Sequence, residues 1–489
     1  MFRLARLTIV AGSTPDQTLP WLIASHSHLQ GQELRVEVDW GSTTTVKLET
    51  GDVEIFGCAL SLAETVSLSG QKAALFSWKG ATLTLGGSSP AIQYESSETV
   101  MPSYLNLHDA LEARRHAALQ ASTAKARGGS ARGGQSPGAQ GPRILVAGPT
   151  DAGKSTLCRI LLNYAVRCGW QPLFADLDMG QGSLTAPGCL AAAAIEAPIA
   201  PGADLATDSP LAFFCGRTSP GEAPELVRHL TERLAEAADA RAAKDVHAAA
   251  SGAVINACGW VEEGGFDLLL HACRTFRCDV AVVLGSDRLH SQLKQALQKL
   301  QEEEETRPPT ASEKNANPAA DGAKSAVTPT PSLPKLPKVS LVNFPRSGGA
   351  VMRSREWRAA ARASRVGHYF YGPQRELAPA SQTASCADLK VWRVGAASRA
   401  PSTALPLGAR SVFDPLKLVP VENWGELRCT LLGVSHAPTA DLLLAAPVAG
   451  FIYVQEVDEA KGTVTYLAPR SGNLPGSLLL AGAFKVYFD

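Results

Sequence analysis

Chemistry first shows in the stretch Gly148-Pro-Thr-Asp-Ala-Gly-Lys-Ser-Thr156. Its spacing, G-x-x-x-x-G-K-S/T, is that of a phosphate-binding loop. Glycines let successive backbone N–H groups turn inward around an anion with no Cβ in the way. A helix opening directly after the loop would turn its positive N-terminus on the same anion. Lys154 could then reach the β- and γ-phosphates, and the Ser155 hydroxyl could ligate Mg²⁺. The competing reading is a chance match in a glycine-rich turn. The flanks argue against chance. Ile144 to Ala147 form an apolar run that reads as a buried strand, and Leu157, Ile160, Leu161 and Tyr164 follow at helical spacing.

Three further stretches carry candidate groups. Pro172-Leu-Phe-Ala-Asp-Leu-Asp-Met-Gly-Gln-Gly182 reads as a strand that ends in two acids and a turn. At the C-terminal edge of a parallel sheet such acids arrive beside the phosphate loop. Strict alternation sends Asp176 and Asp178 to one face, where one holds Mg²⁺ through water and the other takes a proton from an attacking hydroxyl. Asp178, nearer the end of the run, is the expected base. Ile255-Asn-Ala-Cys-Gly-Trp260 ends another strand at the same edge. Trp260 is open to two readings, a core tryptophan or a platform on which a nucleobase stacks. Arg358, Arg362 and Arg365 share a helix face in a basic run that starts at Arg353. They form either a solvated basic face or a lid that closes on a γ-phosphate.

The 489-residue chain is too long for one core. Its 46 basic and 46 acidic side chains cancel, so no global field draws it to nucleic acid or anionic lipid. Ten scattered cysteines without a CxxC pair read as reduced thiols. No apolar run is long enough to span a membrane. The N-terminal twelve residues are faintly signal-like, but their apolar run is short and broken by arginines.

Taken in order, residues 33–100 alternate between apolar and polar, with glycines between the runs. Leu34, Val36 and Val38 would face one way and Arg35, Glu37 and Asp39 the other, the pattern of a small β-sandwich. A helix over 104–116 leads out of it. Residues 121–142 are Ala, Gly, Ser and Arg in low-complexity order and read as a flexible linker. From 143 apolar runs alternate with helical patterns, which predicts a parallel sheet. Its expected strands are 144–147, 172–177, 211–215, 252–256, 279–284 and 339–342. The Ala-rich 231–250 reads as an exposed helix, and 299–338 as a disordered insertion. After Tyr371 the alternation returns in a third, mostly β domain. The expected fold class is therefore α/β. It has an N-terminal β-sandwich over 1–120, a central P-loop NTPase domain with a parallel sheet over 143–375, and a C-terminal mostly β domain over 376–489.

These motifs, in this order, resemble the RNA 5′-hydroxyl polynucleotide kinase family of the eukaryotic mRNA 3′-end cleavage factor, a family also associated with tRNA splicing. The resemblance rests on the phosphate loop, Asp176-Leu-Asp-Met-Gly-Gln-Gly182, Asn256-Ala-Cys-Gly-Trp260 and Arg353, Arg358 and Arg362. It extends to Glu33-Leu-Arg-Val-Glu37, Val53-Glu-Ile-Phe-Gly57, Phe76-Ser-Trp-Lys-Gly80 and Gly367-His-Tyr-Phe-Tyr-Gly372. It implies ATP and Mg²⁺ between the first two domains, RNA with a 5′-hydroxyl end as acceptor, a cleavage-factor scaffold protein as partner, and the nucleus as location. Glu33 and Lys72 would touch the nucleotide, and Asp151, Ala152, Gly153, Lys154, Ser155 and Thr156 would hold its phosphates. Ser155, Asp176 and Asp178 would bind the metal, and Trp260 would bind RNA. Lys154, Asp178, Arg353, Arg358 and Arg362 would carry the reaction. Two alternatives stand beside this. One is an inactive, ATP-bound scaffold subunit, and the other is the related kinase of ribosomal RNA processing.

Overall fold

The computed structural model describes residues 24–27, 30–62, 64–127, 140–202, 210–306, 336–395 and 414–488. The first strands are β1 (Ala24–Ser27), β2 (Gln32–Glu37), β3 (Thr44–Gly51), β4 (Glu54–Ile55), β5 (Cys58–Ala59), β6 (Thr65–Leu68), β7 (Lys72–Ser77), β8 (Ala81–Gly87) and β9 (Ile92–Ser96). They form two antiparallel sheets, ordered β1-β8-β3-β6 and β5-β4-β7-β2-β9. Alternation along β2 puts Leu34 and Val36 into a core shared with Val46, Leu48, Leu75 and Leu83. The opposite face of β2 is not left to solvent, however. Glu33 and Arg35 are as buried as the core, because the rest of the protein covers that face.

Helix α1 (Met101–Arg127) leaves the sandwich and continues into the segment expected as linker. Residues 128–139 lie outside the described residues. The central sheet follows: β10 (Arg143–Ala147), α2 (Lys154–Arg167), β11 (Leu173–Asp176), β12 (Cys189–Ala194), β13 (Leu211–Phe214), α3 (Pro224–Lys244), α4 (Val246–Ser251), β14 (Ala253–Asn256), α5 (Gly264–Thr275), β15 (Val280–Leu284), α6 (Asp287–Thr306) and β16 (Ser340–Phe344). Its order is β13-β12-β11-β14-β10-β15-β16, and the run from β11 to β16 is parallel. The expected strands are present within a residue or two. The addition is β12, which runs against both neighbours. Its four consecutive alanines have little strand propensity, so only the neighbours hold it extended.

The expected exposed helix over 231–250 is corrected to two helices, each with one face buried and the other open to solvent. Leu230, Leu234, Ala235 and Ala238 of α3 and Ala248 and Ala250 of α4 are buried. Alanine gives no outward signal of burial, yet it lets helices approach closely. Of the expected disordered insertion 299–338, residues 299–306 are corrected to the last turns of α6, which runs on to Thr306, and 307–335 lie outside the described residues.

Helix α7 (Arg355–Tyr371) carries the basic run. After it come β17 (Ala380–Ser385), β18 (Lys390–Val394), β19 (Leu418–Pro420), β20 (Thr430–Ser435), β21 (Val448–Asp458), β22 (Thr463–Ala468) and β23 (Leu478–Lys485), all in one sheet. This sheet shares a hydrophobic core with the central domain. Phe451 meets Phe214 edge-on at 5.4 Å, and its backbone N–H donates to the Tyr369 hydroxyl at 2.9 Å.

The sandwich is joined to α2 by polar contacts. Glu54, buried, accepts from the Tyr164 hydroxyl and from Arg167 Nη1 at 3.1 Å. Asn163 Nδ2 donates to the Phe56 carbonyl at 2.8 Å. Removing the carboxylate would leave the buried Tyr164 hydroxyl without its acceptor and Arg167 with the Gly57 carbonyl, 3.0 Å away. Arg167 reaches solvent, so the loss sits below the range for a fully buried pair. Glu54→Ala is expected to destabilise this junction by roughly 2–3 kcal/mol, read as a lower urea midpoint for the sandwich than for the rest of the chain.

Candidate functional site

The phosphate loop connects β10 to α2, as its flanks predict. Two backbone positions make it possible. Gly153, the residue before α2, has φ of 96°, a left-handed conformation that a side chain resists. Gly259, at the end of the β14 loop, lies so near the phosphate loop that a Cβ there would stand 2.5 Å from the Thr150 hydroxyl oxygen. The glycine before Trp260 is thus required by packing. Lys154 is buried, and its Nζ donates to the Pro149 carbonyl at 2.9 Å. Burial pulls its pKa below the usual lysine range, and the nearby Asp178 carboxylate pulls the other way.

The two acids part company. β11 ends at Asp176, so strand alternation stops there and the expected shared face does not form. Asp176 is buried behind the cavity wall. Its Oδ1 accepts from the Asp178 N–H and Asn256 Nδ2, and its Oδ2 from the Ser183 N–H and hydroxyl. Burial and the Asp178 charge still hold its pKa above the usual carboxylate value. Asn256 also donates to the Ser155 hydroxyl at 3.2 Å, which links that hydroxyl to Asp176. Asp178 lies in the turn beyond the strand, where its Oδ1 accepts from the Gly180 and Gln181 N–H groups at 3.1 Å, and it lines the cavity.

The arginines come from the segment before α7 and from its first turns. Ser354 caps the helix by accepting the Trp357 N–H at 3.1 Å. Asp151, in the phosphate loop itself, accepts the Arg353 N–H at 2.9 Å and Arg358 Nη2 at 2.5 Å. Arg365 does not face the cavity. It donates to the Ser183 carbonyl at 3.1 Å and ties α7 to the acid-bearing turn. Burial depresses the pKa of Arg353 and Arg362.

Between the sandwich, the phosphate loop and α7 lies a cavity of about 740 Å³, within the usual range for a small-molecule site. Its wall brings together Lys154, Asp178, Arg353, Arg358, Arg362, Trp260, Glu33, Lys72, Asp151, Gly153, Ser155 and Thr156. Ala152 packs into the core instead, and Asp176 stands behind the wall. Glu33 accepts from the Thr99 hydroxyl at 2.6 Å and Arg35 Nε at 2.8 Å, and Lys72 pairs with Glu37 at 2.5 Å. Trp260 is half-buried. Its ring passes over Gly264 and Gly265, where a Cβ would crowd it. Arg35, Tyr94 and Tyr104 also line the cavity; the sequence marks Arg35 only as part of a motif and a polar strand face, and carries no site signal for the two tyrosines. Asn256 was noticed only as part of a motif. Its polar side chain at the end of an otherwise apolar strand was the available signal.

A parallel sheet with a phosphate loop after its central strand, strand-end acids and an arginine-bearing helix over the opening define a P-loop nucleotide-binding protein. Comparison with known proteins narrows this. Residues 148–321 match the P-loop region of the mRNA cleavage and polyadenylation factor CLP1. Residues 377–487 match the pre-mRNA cleavage complex II protein Clp1, and 29–118 match the N-terminal beta-sandwich domain of polyadenylation factor. The chain is 38% identical to the protein CLP1 homolog of Arabidopsis thaliana, over 92% of this chain and 91% of that one. It is 36% identical to the polyribonucleotide 5′-hydroxyl-kinase Clp1 of Homo sapiens, over 92% and 93%. The chain belongs to the Clp1 family. Its fold is that of Clp1p in a solved Clp1p–Pcf11p complex, with TM-score 0.72 at 19% identity, covering 96% of this chain and all of that one.

Asp151 ties the phosphate loop to the start of α7 by accepting from the Arg353 N–H and from Arg358. Asp151→Ala is expected to speed amide hydrogen exchange in the first turns of α7 about tenfold. Exchange in β10 and β14 should be unchanged. Unaltered exchange in α7 would show that the loop does not hold this helix.

Proposed function

We propose that this protein is an ATP-dependent polyribonucleotide 5′-hydroxyl kinase and a nuclear subunit of the mRNA 3′-end cleavage and polyadenylation machinery, with a second role in tRNA splicing. The observation that supports the kinase reading most is the convergence of Lys154, Asp178 and the lid arginines Arg353, Arg358 and Arg362 on one cavity beside Trp260. The polyribonucleotide 5′-hydroxyl-kinase names of several relatives support it as well. They do not favour the inactive scaffold or the ribosomal RNA-processing kinase. The solved complex of a fold neighbour with Pcf11p supports a cleavage-factor scaffold protein as partner. Among the described residues no helix is long and apolar enough to cross a membrane. In this reading the sandwich (1–120), the central domain (143–375) and the C-terminal domain (376–489) divide nucleotide closure, catalysis and assembly between them.

ATP would lie in the cavity with its phosphates on Gly153 to Thr156 and its base toward the sandwich residues Glu33 and Lys72, all of which line it. The Ser155 hydroxyl and the Asp178 carboxylate supply hard oxygen donors of the kind Mg²⁺ takes, and Asp176 sets the Ser155 hydroxyl through Asn256. Bound Mg²⁺ would neutralise phosphate charge. Trp260 stacks the RNA 5′ end, and Asp178 accepts the proton of its 5′-hydroxyl. That oxygen bonds to the γ-phosphorus as the bond to the β-phosphate oxygen breaks, and ADP leaves. Lys154 and the lid arginines stabilise the charge spread over the transferring group.

The test is transfer from γ-labelled ATP to a short 5′-hydroxyl RNA. Lys154→Ala is expected to abolish label transfer. Asp178→Asn should slow it by about 10²–10⁴-fold while ATP still binds. Full transfer by Lys154→Ala would remove the kinase reading. Asn256→Ala is expected to weaken Mg²⁺-dependent ATP binding by about 10–100-fold, with the two proteins binding alike once Mg²⁺ is chelated. Equal loss with and without Mg²⁺ would mean that Asn256 serves the fold and not the metal donors.

A further inference from the structure

The segment that enters the lid helix is attached to the sandwich as well as to the phosphate loop. Gly348 N–H donates to Glu98 Oε1 at 3.3 Å, and a Cβ on Gly349 would stand 3.0 Å from Arg35 Nε. Farther along, the Trp357 ring meets Trp40 of the β2–β3 turn at 5.6 Å between centroids, tilted by 45°. The Arg353 guanidinium lies 4.4 Å from the centroid of the same Trp357 ring. Trp40 is itself braced. Gly70 sits beneath it, where a Cβ would come within 2.3 Å of the ring, and the Gly70 N–H donates to the Asp39 carbonyl at 3.3 Å. Trp40 is nonetheless 38% exposed, so burial in the sandwich core does not account for its place.

We infer that Trp40 is a positioning residue for phosphoryl transfer. Through Trp357 it fixes the pose in which Arg353 faces the phosphates, and so makes the sandwich part of the lid. The inference rests on the kinase reading above. Without Trp40, Trp357 loses the neighbour that fixes its ring, and the arginine stacked on it samples other directions. The nucleotide would still be gripped by the phosphate loop, because Trp40 does not line the cavity. The defect should therefore fall on the chemical step and spare ATP binding.

The experiment compares single-turnover transfer and equilibrium ATP binding in wild type, Trp40→Ala, Trp40→Phe, Trp357→Ala and the Trp40→Ala/Trp357→Ala double variant. Trp40→Ala is expected to slow transfer about 3–10-fold with ATP affinity changed less than about twofold. Trp40→Phe should restore most of the rate. The double variant should be no slower than Trp357→Ala alone, because Trp40 acts only through Trp357. A wild-type rate in Trp40→Ala overturns the inference, as do additive losses in the double variant. A parallel loss of ATP affinity and transfer overturns it too, since Trp40 would then serve the whole fold. If wild type itself transfers nothing, the kinase reading has failed on its own. Hydrogen exchange across 355–371 in the ATP-bound chain then still decides: faster exchange in Trp40→Ala supports the clasp, and unchanged exchange overturns it.

Discussion

Cations placed side by side in partly buried space repel one another and lose hydration. This protein accepts that cost around one cavity. Burial lowers the pKa of Lys154, Arg353 and Arg362, and Arg358 adds its charge to theirs. Asp151 and Asp178 are the carboxylates nearest this group, and each is already engaged, Asp151 with the lid and Asp178 with the N–H groups of its own turn. The group is therefore short of negative charge, and a polyphosphate of the kind proposed above would supply it. Lys154 hydrogen-bonds a neutral carbonyl. A phosphate oxygen is the stronger acceptor for the same ammonium, so exchanging one for the other favours the nucleotide.

The same constraint explains the second layer. A cluster of cations on flexible side chains would spread apart. Here Arg358 is held by a loop carboxylate and Arg353 lies against an indole ring, while the anion behind them, Asp176, is held by four donors from three residues. Positioning of this kind matters for phosphoryl transfer, where the protein contributes geometry and charge and forms no covalent bond to the substrate.

What could be read in the sequence follows from how local each feature is. The phosphate loop, its strand and its helix are contiguous, and their spacing alone placed Lys154 and Ser155. The lid arginines were legible as a helix face, but their distance from the loop was not, because Asp151 and Arg358 meet only through the fold. Alternation in β2 identified the sandwich core. It could not show that the polar face, with Glu33 and Arg35, is also covered, since a polar site wall and a solvated face have the same pattern. β12 and the buried faces of α3 and α4 were hidden by alanine, which suits helix, strand edge and tight packing alike. Alternation predicts one face for Asp176 and Asp178, and it fails because the strand ends between them.

The sandwich carries the remaining argument. A phosphate loop and its sheet can bind a nucleotide without help, so a separate β domain needs a physical reason. Its inward face supplies the wall opposite the loop, and its turns hold the segment that leads into α7. Neither wall encloses the cavity alone. The lid is therefore braced from both sides, by Asp151 below and by Glu98 and Trp40 beside it. A lid fixed at two points has fewer poses than one hinged at a single loop, and fewer poses mean less entropy to lose in the transfer proposed above. The junction at Glu54 and Arg167 then matters for the chemistry as well as for the fold, because any tilt of the sandwich on α2 shifts one of the two points that aim the lid.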